Sequence, residues 1–400
     1  MMMDVNHTTP HHTTPHHTTP HHTTPHHTTL LPEIRVVFLH STDPSLDWMR
    51  RAMCLRDEEL ISRFVLDDKN PDYVIATDKC FINRECCAKL RHYLINNKDS
   101  IFIFFTYECL DPNLNIFDYA FTWNPDLRCG DRIGRNVPYI LHKPPYIRHA
   151  KDAPASTNSL TREEAINILG SNPRFCNFIY SHASEPRDTF FRQLSAYRRI
   201  DALGPHLHNT DTEPSRFAAD WYALSIGMKK GYKFSMAMEN AAYRGYTTEK
   251  IISSLQAHTV PIYWGDPDVA RYINPKAFIN CHDYASFDEV IDRVREIDQN
   301  DDLWLDMVTQ PWQTEEQYNR TLNELAEYDE FVRHIFTQDI HTARRRPVGV
   351  WGDWFRKSFT GVIGVIPPLH LRVFRRVKHF MGKLVPHKMK HAVKKFLHMA

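Results

Sequence analysis

Short runs of consecutive apolar residues alternate along this chain with segments whose apolar residues recur at helical spacing. Residues 34–40, 72–78 and 101–108 form a first set of runs, and 45–66 and 81–97 between them carry helical spacing. Strands that are apolar on both faces and separated by helices predict a parallel sheet covered on both sides. A polar, Pro-rich stretch from about 143 to 161 reads as a linker. The pattern then starts again. Residues 177–182 lead to a helix at 186–199, 234–239 lead to a helix from about Thr248, and 259–264 and 277–282 are further strands. Ser286-Phe-Asp-Glu289 predicts a capping box, opening a helix whose apolar face is Phe287, Val290, Ile291, Val294 and Ile297. The fold class is therefore α/β: two Rossmann-like domains facing a cleft, without a GxGxxG motif. The expected partition is a front domain over 30–160 and a rear domain over 161–340. Ligands of such sheets bind beyond the carboxyl ends of the strands.

Both ends of the chain depart from this pattern. Residues 7–29 repeat His-His-Thr-Thr-Pro. Pro at every fifth position and almost no apolar residue preclude a packed element, so 1–29 is expected to be a disordered leader. It is either a His-rich metal-binding tract or a plain repeat expansion. At the other end, 341–400 holds 14 Lys/Arg and a single acid, Asp353. Two short basic amphipathic helices are expected there. One carries Leu371, Phe374, Val377, Met381 and Leu384. The other, after Pro386, carries Met389, Val393, Phe396 and Leu397. They read as a membrane-associating tail, or as a helix pair docked on the acidic body.

Composition sharpens the picture in three places. Acids and bases nearly cancel at 48 and 49, for a net charge of +1, which argues against a globally basic nucleic-acid binder. The 42% hydrophobic content, with 23 Phe and 17 Tyr, is enough for a sizeable core and excludes wholesale disorder. The eight Cys show no CxxC spacing and read as reduced thiols of a cytosolic protein. No apolar leader of signal-peptide type and no run of spanning length is visible.

The stretch 232–265 (YKFSMAMENAAYRGYTTEKIISSLQAHTVPIYWG) is richest in chemistry. Glu239 and Asn240 fall at the carboxyl end of a strand. Gly245 permits a tight turn, and Thr247 or Thr248 can cap the next helix. Glu249 and Lys250 occupy the first turn of that helix, where free backbone N–H groups can hold a phosphate and Lys250 adds a point charge. The layout suits a nucleotide diphosphate. Asp266-Pro-Asp268 has the spacing of an Asp-x-Asp metal motif but reads as a turn, and no metal ligand is assigned.

These residues resemble the donor-binding motif of the α1,3-fucosyltransferases of glycosyltransferase family 10. The pieces aromatic-Lys-Phe, Met-Glu-Asn, Gly-Tyr, Thr-Glu-Lys and Pro-Ile-Tyr-Trp-Gly all occur in order. Residues 111–120 (DPNLNIFDYA), 174–187 (RFCNFIYSHASEPR) and 274–283 (NPKAFINCHD) extend the resemblance over about 34–335. It implies a GT-B fold and inverting transfer of L-fucose from GDP-fucose to the GlcNAc of an N-acetyllactosamine-type acceptor. The product would be an α1,3-linked, Lewis-type glycan of a bacterial surface polysaccharide. Carried over by position, Arg187, Asn240, Tyr246, Glu249 and Lys250 would bind the donor. Arg187 and Lys250 would serve the pyrophosphate, Glu249 the sugar hydroxyls, and Tyr246 would pack on nucleotide or sugar. Glu108 would be the general base, with Tyr107 standing where members often carry Gly. Asp118 and Tyr119 could orient the base or belong to the core. A metal-free site is implied, with a divalent ion at most stimulatory. The expected location is cytoplasmic, held at the inner membrane face by the basic tail. The competing readings are a transferase for another GDP-sugar and a non-catalytic membrane-binding module.

Overall fold

The computed structural model describes residues 32–40, 44–136, 160–211, 221–347 and 349–362. The His-Thr-Pro repeat, nearly all of the expected linker and the two expected basic helices beyond 369 lie outside these residues.

The front sheet is built by β1 (Ile34–Leu39), α1 (Leu46–Ala52), α2 (Glu58–Ser62), β2 (Phe64–Leu66), β3 (Tyr73–Thr77), α3 (Lys79–Ile82), α4 (Arg84–Asn96), β4 (Ile101–Phe105), β5 (Tyr119–Thr122) and β6 (Ile133–Arg135). Its strands are all parallel, in the order β2-β1-β3-β4-β5-β6. Every residue of β3, β4 and β5 is buried, as continuous apolar runs demand when helices cover both faces. The expected helical segment 45–66 divides. Ser45 and Asp57 each cap a separate short helix, Cys54 between them has a positive φ of 50°, and the last residues pair with β1 as β2.

The rear sheet follows with α5 (Arg162–Gly170), β7 (Arg174–Phe178), α6 (Glu185–Tyr197), β8 (Ile200–Ala202), α7 (Trp221–Lys229), β9 (Tyr232–Met238), α8 (Glu249–Gln256), β10 (Val260–Trp264), β11 (Ile279–Asn280), α9 (Phe287–Gln299) and α10 (Asp301–Val308). Its order is β11-β10-β9-β7-β8, again all parallel. The strand order reverses between β7 and β9, and a doubly wound sheet opens a crevice beyond the carboxyl ends at such a point. The expected face of α9 is buried at Val290, Ile291, Val294 and Ile297, and Phe287 packs edge-on against Phe190.

The chain then returns. Helix α11 (Glu315–Thr337) lays Leu325, Tyr328, Val332, Ile335 and Phe336 into the core of the front sheet, among Phe64, Tyr73 and Phe121. From Leu325 onward the chain therefore packs with the front half, although it falls after the expected linker, while Gln317 still bonds the Ala270 and Ile273 carbonyls of the rear half.

Residues 344–346 tie down the same half. Asp118, at the amino end of β5, accepts from the backbone N–H groups of Arg345 and Arg346, both at 2.8 Å, and from that of Phe102 at 2.8 Å. It also pairs with the Arg346 guanidinium, and both side chains are buried. Arg344 adds a pair to Asp99 at 2.9 Å. Asp118 thus sits at the opposite end of the strands from Glu108 and anchors the C-terminal segment. Breaking a buried pair leaves one charge without a partner, so Asp118→Ala should cost about 3–5 kcal/mol of stability, read as a fall in the denaturant midpoint. Helix α12 (Val350–Val362) ends the described chain. Among the described residues, no helix is long and apolar enough to cross a membrane.

Candidate active site

The rear half of the site is a pocket of about 800 Å³ beyond the carboxyl ends of β7 and β9, at the reversal of strand order. Tyr180, His182 and Ser184 line it from the loop after β7, Arg187 from the start of α6, Trp221 from α7, and Asn240, Glu249 and Lys250 from the loop after β9 and the start of α8. Two helices, α6 and α8, therefore begin at its wall.

Arg187 is 5% exposed. Its guanidinium lies 4.3 Å over the Tyr180 ring and donates to the His182 carbonyl at 3.1 Å. Its Nε has no hydrogen-bond partner among the described residues. A buried cation with an unused donor is primed for an anionic ligand.

Lys250 is placed as expected, in the first turn of α8, but it is not a free point charge. Its amine donates to Glu239 Oε2 at 2.7 Å and to Thr248 Oγ1 at 2.8 Å. Glu239 is wholly buried at the end of β9 and also accepts from the Thr248 backbone N–H at 2.9 Å. Burial works against the Lys250 charge, yet Glu239 and Glu249 outweigh it and hold its pKa above the ordinary lysine range. Burial lifts the carboxyl of Glu239 above its usual range, with Lys250 pulling the other way. The carboxyl of Glu249 also meets a burial penalty, but Lys250 outweighs it and the pKa is lowered. Thr248 takes the N-cap position of α8, although its hydroxyl is bonded to Glu239 rather than capping the helix.

The front half of the site is Glu108, three residues past β4. Thr106 Oγ1 accepts from its backbone N–H at 2.9 Å and fixes the turn. Tyr107 needs no glycine conformation here, since its φ is not positive, and its hydroxyl ties the loop to the Ala52 carbonyl at 2.5 Å. Two rear-half groups meet the Glu108 carboxylate. Asn240 Nδ2 and the Tyr246 hydroxyl each donate to its Oε2, both at 3.1 Å. Tyr246 therefore does not line the pocket. It is buried with its ring 5.6 Å from Trp123 of the front half, in an edge-on contact. Burial raises its phenol pKa first of all, and the nearby Glu239 and Glu108 carboxylates raise it further.

The loop 240–247 is the seam between the halves. Tyr243 bonds Asp111, and Arg244 pairs with Asp126. Gly245 has φ of 80°, and a Cβ there would overlap the Trp123 carbonyl, so the close approach requires glycine. Asp266 is buried and staples this loop, accepting from Gly245 N at 2.9 Å and Thr247 Oγ1 at 3.0 Å. Asp266-Pro-Asp268 is thus a turn that supports the seam.

The sequence names six site residues; the structure brings Glu108, Arg187, Asn240, Glu249 and Lys250 to one cleft and sets Tyr246 at its seam, bonded to Glu108 and outside the pocket lining. Sequence reasoning missed the pairing role of Glu239, and it missed Tyr180 and Trp221 in the pocket wall. Glu239 lay within the motif, and a carboxylate at the end of a wholly buried strand was the available signal.

Two doubly wound parallel sheets facing a cleft, with a nucleotide-sized cationic pocket behind and a carboxylate in front, are the architecture of GT-B glycosyltransferases. Residues 172–343 match the model of glycosyltransferase family 10 (fucosyltransferase), C-terminal part. A crystal structure of an alpha1,3-fucosyltransferase with GDP superposes with a TM-score of 0.55 at 22% identity, covering 80% of this chain and 94% of that one. The Helicobacter pylori alpha-(1,3)-fucosyltransferase is 32% identical over 228 residues, which are 52% of this chain and 46% of that protein. The GDP-fucose protein O-fucosyltransferase 3 of Xenopus laevis is 29% identical over 161 residues, 38% of this chain and 34% of that protein. The chain spans less than half the length of the curated relatives it matches.

Proposed function

We propose that this protein transfers L-fucose from GDP-fucose, with inversion, to the GlcNAc of an N-acetyllactosamine-type acceptor, forming an α1,3 linkage. The observation that carries this reading is Asn240, which lines the rear pocket and also bonds Glu108. Donor pocket and candidate base therefore share one cleft.

The chemistry follows from the layout. An acceptor hydroxyl has a pKa far above neutrality, so a carboxylate must take its proton as the new bond forms. Inversion requires attack from the face opposite GDP, and Glu108 lies on the opposite half. Its Oε2 is held by Asn240 and Tyr246, which leaves Oε1 for the acceptor. As the glycosidic bond breaks, charge grows on the β-phosphate. Arg187, Lys250 and the N–H groups that open α6 and α8 can take it up. These cations do the work assigned elsewhere to a metal, and a divalent ion would at most stimulate. Trp221 offers an aromatic face to the base, and Glu249 an acceptor for ribose or fucose hydroxyls.

The test is incubation with GDP-fucose and N-acetyllactosamine, followed by linkage analysis. An α1,3-fucosylated GlcNAc is expected. Better use of GDP-mannose than GDP-fucose would overturn the donor, and fucose on a peptide hydroxyl would overturn the acceptor.

The same reading makes the product a Lewis-type glycan built at the inner face of a membrane, with the basic tail as a peripheral contact. Two observations support the contact. The last 60 residues carry a net charge of +13, and α12 exposes Val350, Trp351 and Trp354, Trp being a residue of membrane interfaces. Cutting the chain after 362 removes nine of the 14 basic residues and keeps α12, so it should preserve transfer and reduce the membrane fraction. An unchanged membrane fraction would contradict the contact. A cut at 341 would also remove Arg344–Arg346 and leave Asp118 without its partners.

A further inference from the structure

We propose that Lys229 is a proton-linked positioning residue for the donor: it pegs the first turn of α8 from behind, and it gains a proton when a nucleoside diphosphate-sugar enters the pocket in front. The inference rests on the GDP-fucose reading given above.

Lys229 is the last residue of α7 and is 5% exposed. Its amine reaches the Lys250 carbonyl at 3.2 Å, Ser253 Oγ at 2.6 Å and Ser254 Oγ at 3.1 Å. No carboxylate lies within ion-pair distance of it among the described residues. It therefore holds, through neutral groups alone, the turn that presents Glu249 and Lys250 to the pocket. The peg is one end of a buried polar chain. Ser254 bonds Ser235 Oγ at 3.0 Å, and Ser235 bonds Asn177 Oδ1 at 2.8 Å. At its other end α7 carries Trp221, which lines the pocket, and Tyr222, which bonds Gln256 of α8 at 2.7 Å. One helix thus braces both the wall and the charged turn.

An ammonium buried among hydroxyls and a carbonyl is unfavourable without opposite charge nearby. Burial lowers the pKa of Lys229 to about 7; Lys250 pushes the same way, and Glu249 and Glu239 pull against both. The groups that face it are Glu239 at the end of β9 and Glu249 and Lys250 on α8, with His182 across the pocket. An arriving pyrophosphate adds negative charge beside Lys250. That charge favours the protonated amine of Lys229. A lysine that only filled space would show no such response.

The experiment is calorimetric titration of the full-length protein with GDP-fucose at pH 8, in HEPES and in Tris, whose ionisation heats differ. The pyrophosphate diester of this donor has no proton to exchange near that pH. The expected result is an uptake of roughly 0.5–1 proton per donor bound, with affinity weakening as pH rises from 7 to 9. In Lys229→Met the uptake should vanish and the affinity should become flat over that range. Binding by the unsubstituted protein with the same heat in both buffers would overturn the proposal without any variant. Uptake that persists in Lys229→Met would overturn it as well. A complete absence of binding would instead refute the donor reading, and the proposal with it, and is distinguishable because no heat of either kind appears.

Discussion

Glu108→Gln should retain GDP-fucose binding and lose transfer by about 10²–10⁴-fold. The substitution keeps the shape of the side chain and an oxygen that can accept from Asn240 or Tyr246, so the seam should close as before. It removes the proton acceptor. The loss should therefore fall on kcat, with the donor Kd within a few-fold of its original value. Near-normal turnover would remove Glu108 from the mechanism. A large fall in donor affinity would instead mean that Glu108 holds the seam together, because its Oε2 is the point at which Asn240 and Tyr246 meet the front half.

Lys250→Ala should be the most damaging change in the rear half. Transition-state charge stabilisation by one such group is worth about 10²–10³ in kcat. The variant also leaves Glu239 wholly buried without its cation, a situation that costs about 3–5 kcal/mol when the partner of a buried pair is deleted. The pH dependence of that second loss has a definite sign. Burial already raises the pKa of Glu239, and removing Lys250 raises it more. The folded variant then binds a proton more tightly than the unfolded chain, so its stability falls as pH rises through the raised pKa and recovers in acid. Thermal unfolding at pH 5 and pH 8 checks this. A defect equally large at both would show that Glu239 is not the source.

Much of the architecture could be read from apolar runs. β1, β3, β4, β9 and β10 lie close to where their buried runs predict, because strands apolar on both faces have few alternatives. The three-residue strands β2, β6 and β8 were not foreseen, since so few residues show no period. The return of α11 was not foreseen either, because its apolar face says only that it must be covered, not by which sheet. In the site, residue types and spacing located the turn that opens α8 at the pocket. They could not show that Lys250 is already paired, that Tyr246 faces Glu108 and not the pocket, or that Lys229 lies behind α8. Each of these depends on contacts between residues that are not neighbours in sequence. Asp118 is the clearest instance. Its nearness to Glu108 along the chain suggested a part in catalysis, whereas β5 carries it to the far end of the sheet.

The return of α11 bears on how this chain can be recombined with a relative. A chimera made by exchanging everything after residue 160 would strip the front half of Tyr328, Phe336 and Arg346 and graft foreign side chains into its core. A workable exchange of donor specificity would instead swap an internal cassette, from about 161 to 314, and keep both flanking pieces from a single parent.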